Sequence, residues 1–582
     1  MAQAPPQAVV QDLTHTSQVM GGPRSYRVIL PPAYTASTKR YPVIYWFHGY
    51  EQSNARRDAG IAGYVGSHDV IVVDVGPVES GGRFPLYFPE LTGYIDKTLR
   101  TVADREHRAA AGYATAGFFA WWLAGKYPDL VSSASNVLGF TEDTVGPEGF
   151  DVECNLDELF GNFDGVRTLL VTGAPDALRF YHRRLNGIWL YARGAHESED
   201  GSGDPPEIQI AKTFDFHMHA FASPLPRPAA FRHADAYPNF KVWGWEVVSD
   251  RRQPGFTVLE SVSAKGFRSS VRQWAPEGEP IPQVKLSIAS PSLYTPGSPH
   301  SVTYVRLRDG NVRRALQKAD AQGRLNFDLT GEPYQVGVAA GSAVAMSGYE
   351  ISGADWATAG SPVHLQVKFW NVGNVRAISE AVQWESPNAG VKFDSTGGRL
   401  NSLSPGESTV LPLSFTVMDP ARAWVTIYAV QGATRTPLDI PLFPPVASTK
   451  DFQIVDGRTL TLYTHAVNLD KQTIGQGNGD GHAAPGETFA ILLPDGEGYR
   501  AAELFTRDTC VDNGVRASDS WGDYDHADAA SRYSLPTIRR ECVPGHIVRM
   551  LARLLIPGKP DNQIRYVSIE FPVWWRPGEE PK

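Results

Sequence analysis

RAAAGYATAGFFAWWLAGKYP, residues 108–128, decides how the first part of this chain is read. Small residues lead into Gly112 and Tyr113. Ala114, Thr115, Ala116 and Gly117 follow, and then an apolar run. The pattern predicts a buried strand, a tight turn with its apex at Ala114, and a helix that starts at once. Such a turn needs small residues on both sides, because the strand and helix backbones approach closely there. In a turn of the G-x-S-x-G type the apex carries a nucleophilic serine. Here it carries a methyl group, so a covalent mechanism has no oxygen to begin with.

Around this stretch, residues 1–225 alternate strand and helix patterns. YPVIYWFHGY, VIVVDVGP and TLLVTGAPD read as buried strands, LTGYIDKTLRTVADR as an amphipathic helix, and TFDFHMHAF as a helix with an apolar face. Alternation of this kind predicts a mainly parallel sheet covered by helices. SPLPRPAAFRHADAYPNF (223–240) is proline-rich and aperiodic and reads as a linker. Beyond it the pattern becomes short alternating strands separated by turns, the mark of β-sandwiches. The expected organisation is 1–225 α/β, then all-β sandwich-like units at 226–345, 346–450 (Ig-like) and 451–582. LSPGEST (403–409) and AAPGETF (483–489) each introduce a strand through Pro-Gly-Glu, a weak kinship between the last two units.

Residues 24–130 resemble the esterase D-like family of α/β-hydrolases, which includes feruloyl and acetylxylan esterases. YRVILPPAYTASTKRYPVIYWFHGY and YIDKTLRTVADREHRAAAGYATAGFFAWWLAGKYPDL carry the resemblance, two motifs in order at sensible spacing. It implies an α/β-hydrolase fold and carboxylic ester hydrolysis by a serine mechanism, on small acyl esters or ester-decorated polysaccharide, with no catalytic cofactor. Ala114 then occupies the nucleophile position, and the backbone N–H groups of Thr115 and Tyr50 become the expected oxyanion donors. The acid is expected at Asp176, after the strand TLLVTGAP, and the histidine at His196 in YARGAHESEDG, with His182, His217 and His219 as competitors. With Ala114 the chain is expected to be an inactive or substrate-trapping form. The alternatives are a natural pseudoenzyme, or a secreted ligand- or glycan-binding adhesion protein on a hydrolase scaffold.

Other signals narrow the context. A net charge of −9 without a basic run argues against a nucleic-acid partner. No apolar stretch reaches the ~18 residues that span a bilayer. MAQAPPQ lacks the regions of a signal peptide and resembles a mature N-terminus, so a secreted or periplasmic location is expected. Cys510 and Cys542 either pair or stand as two thiols. QGNGDGHAAPGE (476–487) places Asn478, Asp480 and Glu487 near the spacing of a Ca²⁺ loop, so it reads as a structural calcium site or as a metal-free glycine-rich turn. Trp243, Trp245, Trp574 and Trp575 read either as core or as platforms for sugar rings.

Overall fold

The computed structural model describes residues 7–575, except 49–54, 79–80, 157–158, 173–181, 183–184, 186–195, 202, 274, 276–277, 340–342, 420–423, 433, 444, 465–467, 495–498, 507, 513–515, 519–531 and 555–564. In chain order the first region contains β1 (Val9–Ser17), β2 (Gly22–Leu30), β3 (Val43–His48), α1 (Ala55–Ser67), β4 (Ile71–Pro77), α2 (Phe84–Thr98), β5 (Arg108–Tyr113) and α3 (Thr115–Lys126). It continues with β6 (Ser133–Val137), β7 (Glu142–Val145), β8 (Val152–Asn155), β9 (Arg167–Thr172), β10 (His196–Asp200) and α4 (Pro206–Ala222).

Eight of these strands make one sheet in the order β1-β2-β4-β3-β5-β6-β9-β10. The β1–β2 and β2–β4 pairs are antiparallel, and every other neighbouring pair is parallel. The central strands explain the arrangement. β5 is buried at Arg108–Gly112, and β3 at Val43–Phe47, as strands covered on both faces must be. α3 is buried along nearly its whole length, with Phe118, Phe119, Trp121 and Trp122 filling the space beside the sheet. α1 and α4 pack together on the other face, where Ile61, Tyr64, Val65, Ile210 and Phe214 share a core with Ile44 and Trp46.

After α4 the described residues form no α-helix. A six-stranded sheet (from Phe231–Asp235 to Val312–Lys318) and a four-stranded sheet (from Phe240–Val242 to Asn326–Thr330) enclose a separate core that includes Trp245, Phe267 and Phe327. Two further sheets within 344–443 enclose a core around Phe369, Trp384 and Phe415. The last region is built on the hairpin of Ile547–Leu554 and Arg565–Pro572, and Cys510 and Cys542 form a disulfide there.

The reading of 223–240 as a linker needs correction. Phe231–Asp235 is a strand, and Ala234, Ala236 and Tyr237 are buried in the same core as α3. The prolines punctuate only the first half. The second half carries Phe, Ala and Tyr at positions that pack against the first region, and burial overrides the aperiodic pattern.

Candidate active site

β5 ends at Tyr113 and α3 begins at Thr115, so one residue makes the turn. That residue, Ala114, has φ 54° and ψ −130°, a region an L-residue enters only under strain of roughly 1–3 kcal/mol. Its N–H donates to the Val137 carbonyl at 3.0 Å, and its own carbonyl accepts from Gly117 N–H at 2.8 Å. The glycines around it leave no room for a side chain. A Cβ on Gly112 would lie 1.9 Å from the Ala116 carbonyl oxygen, and one on Gly117 would lie 2.3 Å from Asn136 Oδ1. A Cβ on Gly139, just after β6, would lie 2.4 Å from the Ala114 oxygen. The turn is therefore wedged between α3 and the end of β6. Leu138, directly after β6, also has a positive φ, 52°, so two strained non-glycine residues stand side by side at the carboxyl edge of the sheet. Parallel sheets bind ligands at this edge.

Ala114 and Thr115 are half-buried. Thr115 opens α3, and the N–H groups of a helix's first turn have no intrahelical acceptor, so they can donate to an anion or a polarised carbonyl there. Beneath them the Arg57 guanidinium of α1 lies 3.5 Å from the centroid of the Tyr113 ring, and burial lowers its pKa against the pull of Tyr113. At the end of β3, His48 Nε2 is 3.5 Å from Asp74 Oδ1. Burial pushes the Asp74 carboxyl up, against His48 and the Gly76 N–H.

The histidines divide sharply. His196 pairs with Thr168 at the start of β9, which continues through Ala134 to Ala110. It is thus four registers below Ala114 (110 against 114), about 13 Å along the strands. Its Nδ1 is 3.2 Å from Thr168 Oγ1, and its ring meets Trp121 edge-on at 5.8 Å. The structure does not bring His196 to Ala114. HESED reads as a polar loop, yet it is an edge strand whose first residue turns inward and whose next two stay exposed. The loop at the carboxyl end of β10, residues 201–205, contains no histidine.

His182 is fully buried, with Nε2 2.5 Å from the Gly139 carbonyl oxygen, one peptide away from the packing around Ala114. His217, on α4, is held between Ser133 Oγ and Ser135 Oγ at 2.9 Å each, and burial pushes its pKa down to about 3. Both of its nitrogens serve the packing of α4 on β6. His219 is exposed. Asp176 and Tyr50 lie outside the described residues. Sequence reasoning missed Leu138, Gly139 and Arg57. A glycine two residues after the strand SASNV was the available signal for this second tight turn.

At the loop expected to hold calcium, the carboxylates bond the loop's own amides. Asp456 accepts N–H bonds from Gly479 and Gly481 at 2.8 and 3.0 Å. Glu487 accepts them from Asn478 and Ala484 at 3.3 and 3.0 Å, and Asp480 accepts one from His482 at 2.8 Å. Among the described residues, only Asp508, Cys510 and His546 bring three His, Cys, Asp or Glu ligand atoms within 4.8 Å of one another, and the Cys510 sulfur is spent in the disulfide. Burial pushes the Glu487 carboxyl up, and Asp456 and Asp480 lie close enough to push it the same way. Trp243 and Trp245 are buried and belong to the core, whereas Trp574 and Trp575 are half-buried.

Comparison with known proteins finds a sequence resemblance in the N-terminal part of the chain, with the family model ending ahead of Ala114. Residues 17–85 match a family model described as Putative esterase. Esterase Rv1288 and Esterase MT1326, both of Mycobacterium tuberculosis, are 34% identical over 128 residues, covering 19% of this chain. The chain spans 28% of the length of these curated relatives. Among solved structures, a ferulic acid esterase aligns at 19% identity and TM-score 0.31, over 37% of this chain and 99% of that one. The CE1 ferulic acid esterase AmCE1/Fae1A of the fungus Anaeromyces mucronatus aligns at 18% and 0.32, over 38% of this chain and 93% of its own. An S-formylglutathione hydrolase of Agrobacterium tumefaciens aligns at 16% and 0.29, over 38% and 96%. The N-terminal region thus resembles esterases in sequence. No helix among the described residues is long and apolar enough to cross a membrane.

Proposed function

We propose that residues 1–225 form an esterase-type domain that binds a carboxylic ester and does not hydrolyse it. The reading is carried by Ala114, strained at φ 54° at the tip of a strand–turn–helix, where a nucleophile elbow holds its serine. The amide hydrogens that open α3, starting with Thr115, would polarise the ester carbonyl, and Tyr50 would supply the second donor. Without a hydroxyl at 114 no tetrahedral adduct forms on the protein. Loss of a triad nucleophile costs on the order of 10⁶ in turnover.

The ligand class is an acyl ester, including esters carried on polysaccharide. The Cys510–Cys542 disulfide supports an oxidising location, outside the cytoplasm. The separation of His196 from Ala114 favours a natural binding module over an esterase stripped only of its serine. Ala114→Ser decides between them, assayed with p-nitrophenyl acetate and methyl ferulate. Retained binding with no gain in hydrolysis supports the module. A gain of several orders of magnitude identifies an esterase whose base is already in place, with Asp176 and His182 then the acid and base to test.

A further inference from the structure

We infer that a cavity far from Ala114, where three regions of the chain meet, is a binding site for a neutral carbohydrate of monosaccharide size. This inference does not rest on the reading of the Ala114 turn. The cavity has a volume of about 370 Å³ and lies between the short turn Phe160–Phe163, the sheet containing Phe231–Asp235, Phe256–Ser263 and Gly266–Arg272, and the strands Val344–Ile351 and Thr434–Phe443. Its size is at the lower end of the range of ligand pockets, and junctions between domains are where such pockets gather.

The backbone around the cavity is distorted in two separate sheets. Ser261, a non-glycine wall residue, has φ 52°, and the pairing of its strand slips between Glu260 and Ser263. On the opposite wall Gly348 has φ 150°, at a second slip between Met346 and Gly348. Bulges of this kind re-aim side chains and cluster beside functional sites.

The walls are polar in a particular way. Arg232 forms a two-pronged bond to Asp164 at 3.2 and 3.3 Å and also pairs with Asp439. Arg272 donates to Ser270 Oγ at 2.9 Å and to the Gly278 carbonyl at 2.8 Å. Arg268 is the under-used group. Its bonds to Glu260 and to the Met346 carbonyl are long, 3.3 and 3.4 Å, and its buried Nε has no acceptor. An unpaired buried donor is costly, and a ligand acceptor relieves that cost.

Charge then selects the ligand. Of the wall arginines, Arg232 is paired with Asp439 and with Asp164 behind it, and Arg268 with Glu260, so an anion entering to reach Arg268 would also meet the wall carboxylates Glu260 and Asp439. A hydroxyl group suits such walls because it accepts from a guanidinium and donates to a carboxylate. Tyr349, Val258 and Leu438 supply the apolar surface against which the C–H face of a sugar ring can lie.

The test uses the full chain with D-xylose, L-arabinose, D-glucose and D-galactose as neutral probes and D-glucuronate and benzoate as charged ones. Binding is read by saturation-transfer NMR and by soaking crystals. At least one neutral sugar is expected to bind and to occupy this cavity in the soaked crystal, with the charged probes weaker. Arg268→Lys, which keeps the charge and removes Nε, is expected to weaken it about tenfold, the equivalent of one hydrogen bond. Tyr349→Ala, tested alongside in case the first variant unfolds, is expected to weaken it as well. The inference is overturned by silence from all four neutral sugars, by equal binding of glucuronate, by folded variants that bind like the parent, or by a sugar seated elsewhere in the crystal.

Discussion

The two ends of α3 have been treated in opposite ways. At its N-terminus Ala114 keeps a strained backbone and a crowd of glycines, yet offers no reactive atom. At its C-terminus Lys126 is buried and bonds both oxygens of Asp235, at 2.8 and 2.7 Å, across to the first strand of the next sheet. Tyr237 N–H bonds the same carboxylate at 2.8 Å, and the Tyr237 ring lies 4.1 Å from the Lys126 ammonium. Burial alone would raise the Asp235 pKa, but Lys126 and His233 outweigh it and hold the carboxyl below its ordinary value. One end is a strained turn with no side-chain polar atom, and the other is a buried ion pair that ties α3 to the next sheet.

The largest expected effect is at the attachment. Lys126→Met leaves Asp235 buried without its partner and should cost about 3–5 kcal/mol, visible as a lowered first transition in calorimetry of the full chain. Adding Asp235→Leu should recover much of that loss, and failure to recover would mean that the ion pair does more than fill space. At the opposite end Gly112→Ala should cost about 3 kcal/mol, because its Cβ would overlap the Ala116 carbonyl and the backbone would have to move.

Between the two ends, the packing of α4 on β6 should impose a pH dependence. His217 is neutral when folded, with a pKa near 3, and protonates near its ordinary value of about 6.5 once unfolded. The unfolded chain therefore binds more protons between these values, and stability should fall as pH drops from about 6.5 to about 3. His217→Phe should flatten that slope; an unchanged slope would move its origin elsewhere. The smallest effect is expected from Ala114→Gly, which relieves the positive φ and should stabilise by about 1 kcal/mol. A loss instead would show that the methyl group packs usefully.

How much of this was legible depended on whether local pattern or distant partners set the structure. The turn at Ala114 was readable because Gly112, Ala116 and Gly117 announce a close approach that any fold must respect. TFDFHMHAF was readable as a helix because Phe214, Phe216, His217, Ala220 and Phe221 make one buried face. HESED was misread because an edge strand with exposed polar residues carries no burial signal of its own. Only its pairing with β9 makes it a strand. The segment ending AAFRHADAYPNF was misread because what buries it, Lys126 and the core around α3, lies a hundred residues away in the chain. The glycine-rich loop at 476–487 has the spacing of a cation site, and its Asp456 partner, well upstream, turned out to anchor the loop's own amides.

The central claim is that the edge at Ala114 holds an ester without cleaving it. The most direct measurement follows methyl ferulate by NMR in the presence of the unmodified full chain. Line broadening and saturation transfer should report binding while the ester signals persist unchanged. Ferulate and methanol accumulating at a rate proportional to protein concentration would contradict the account.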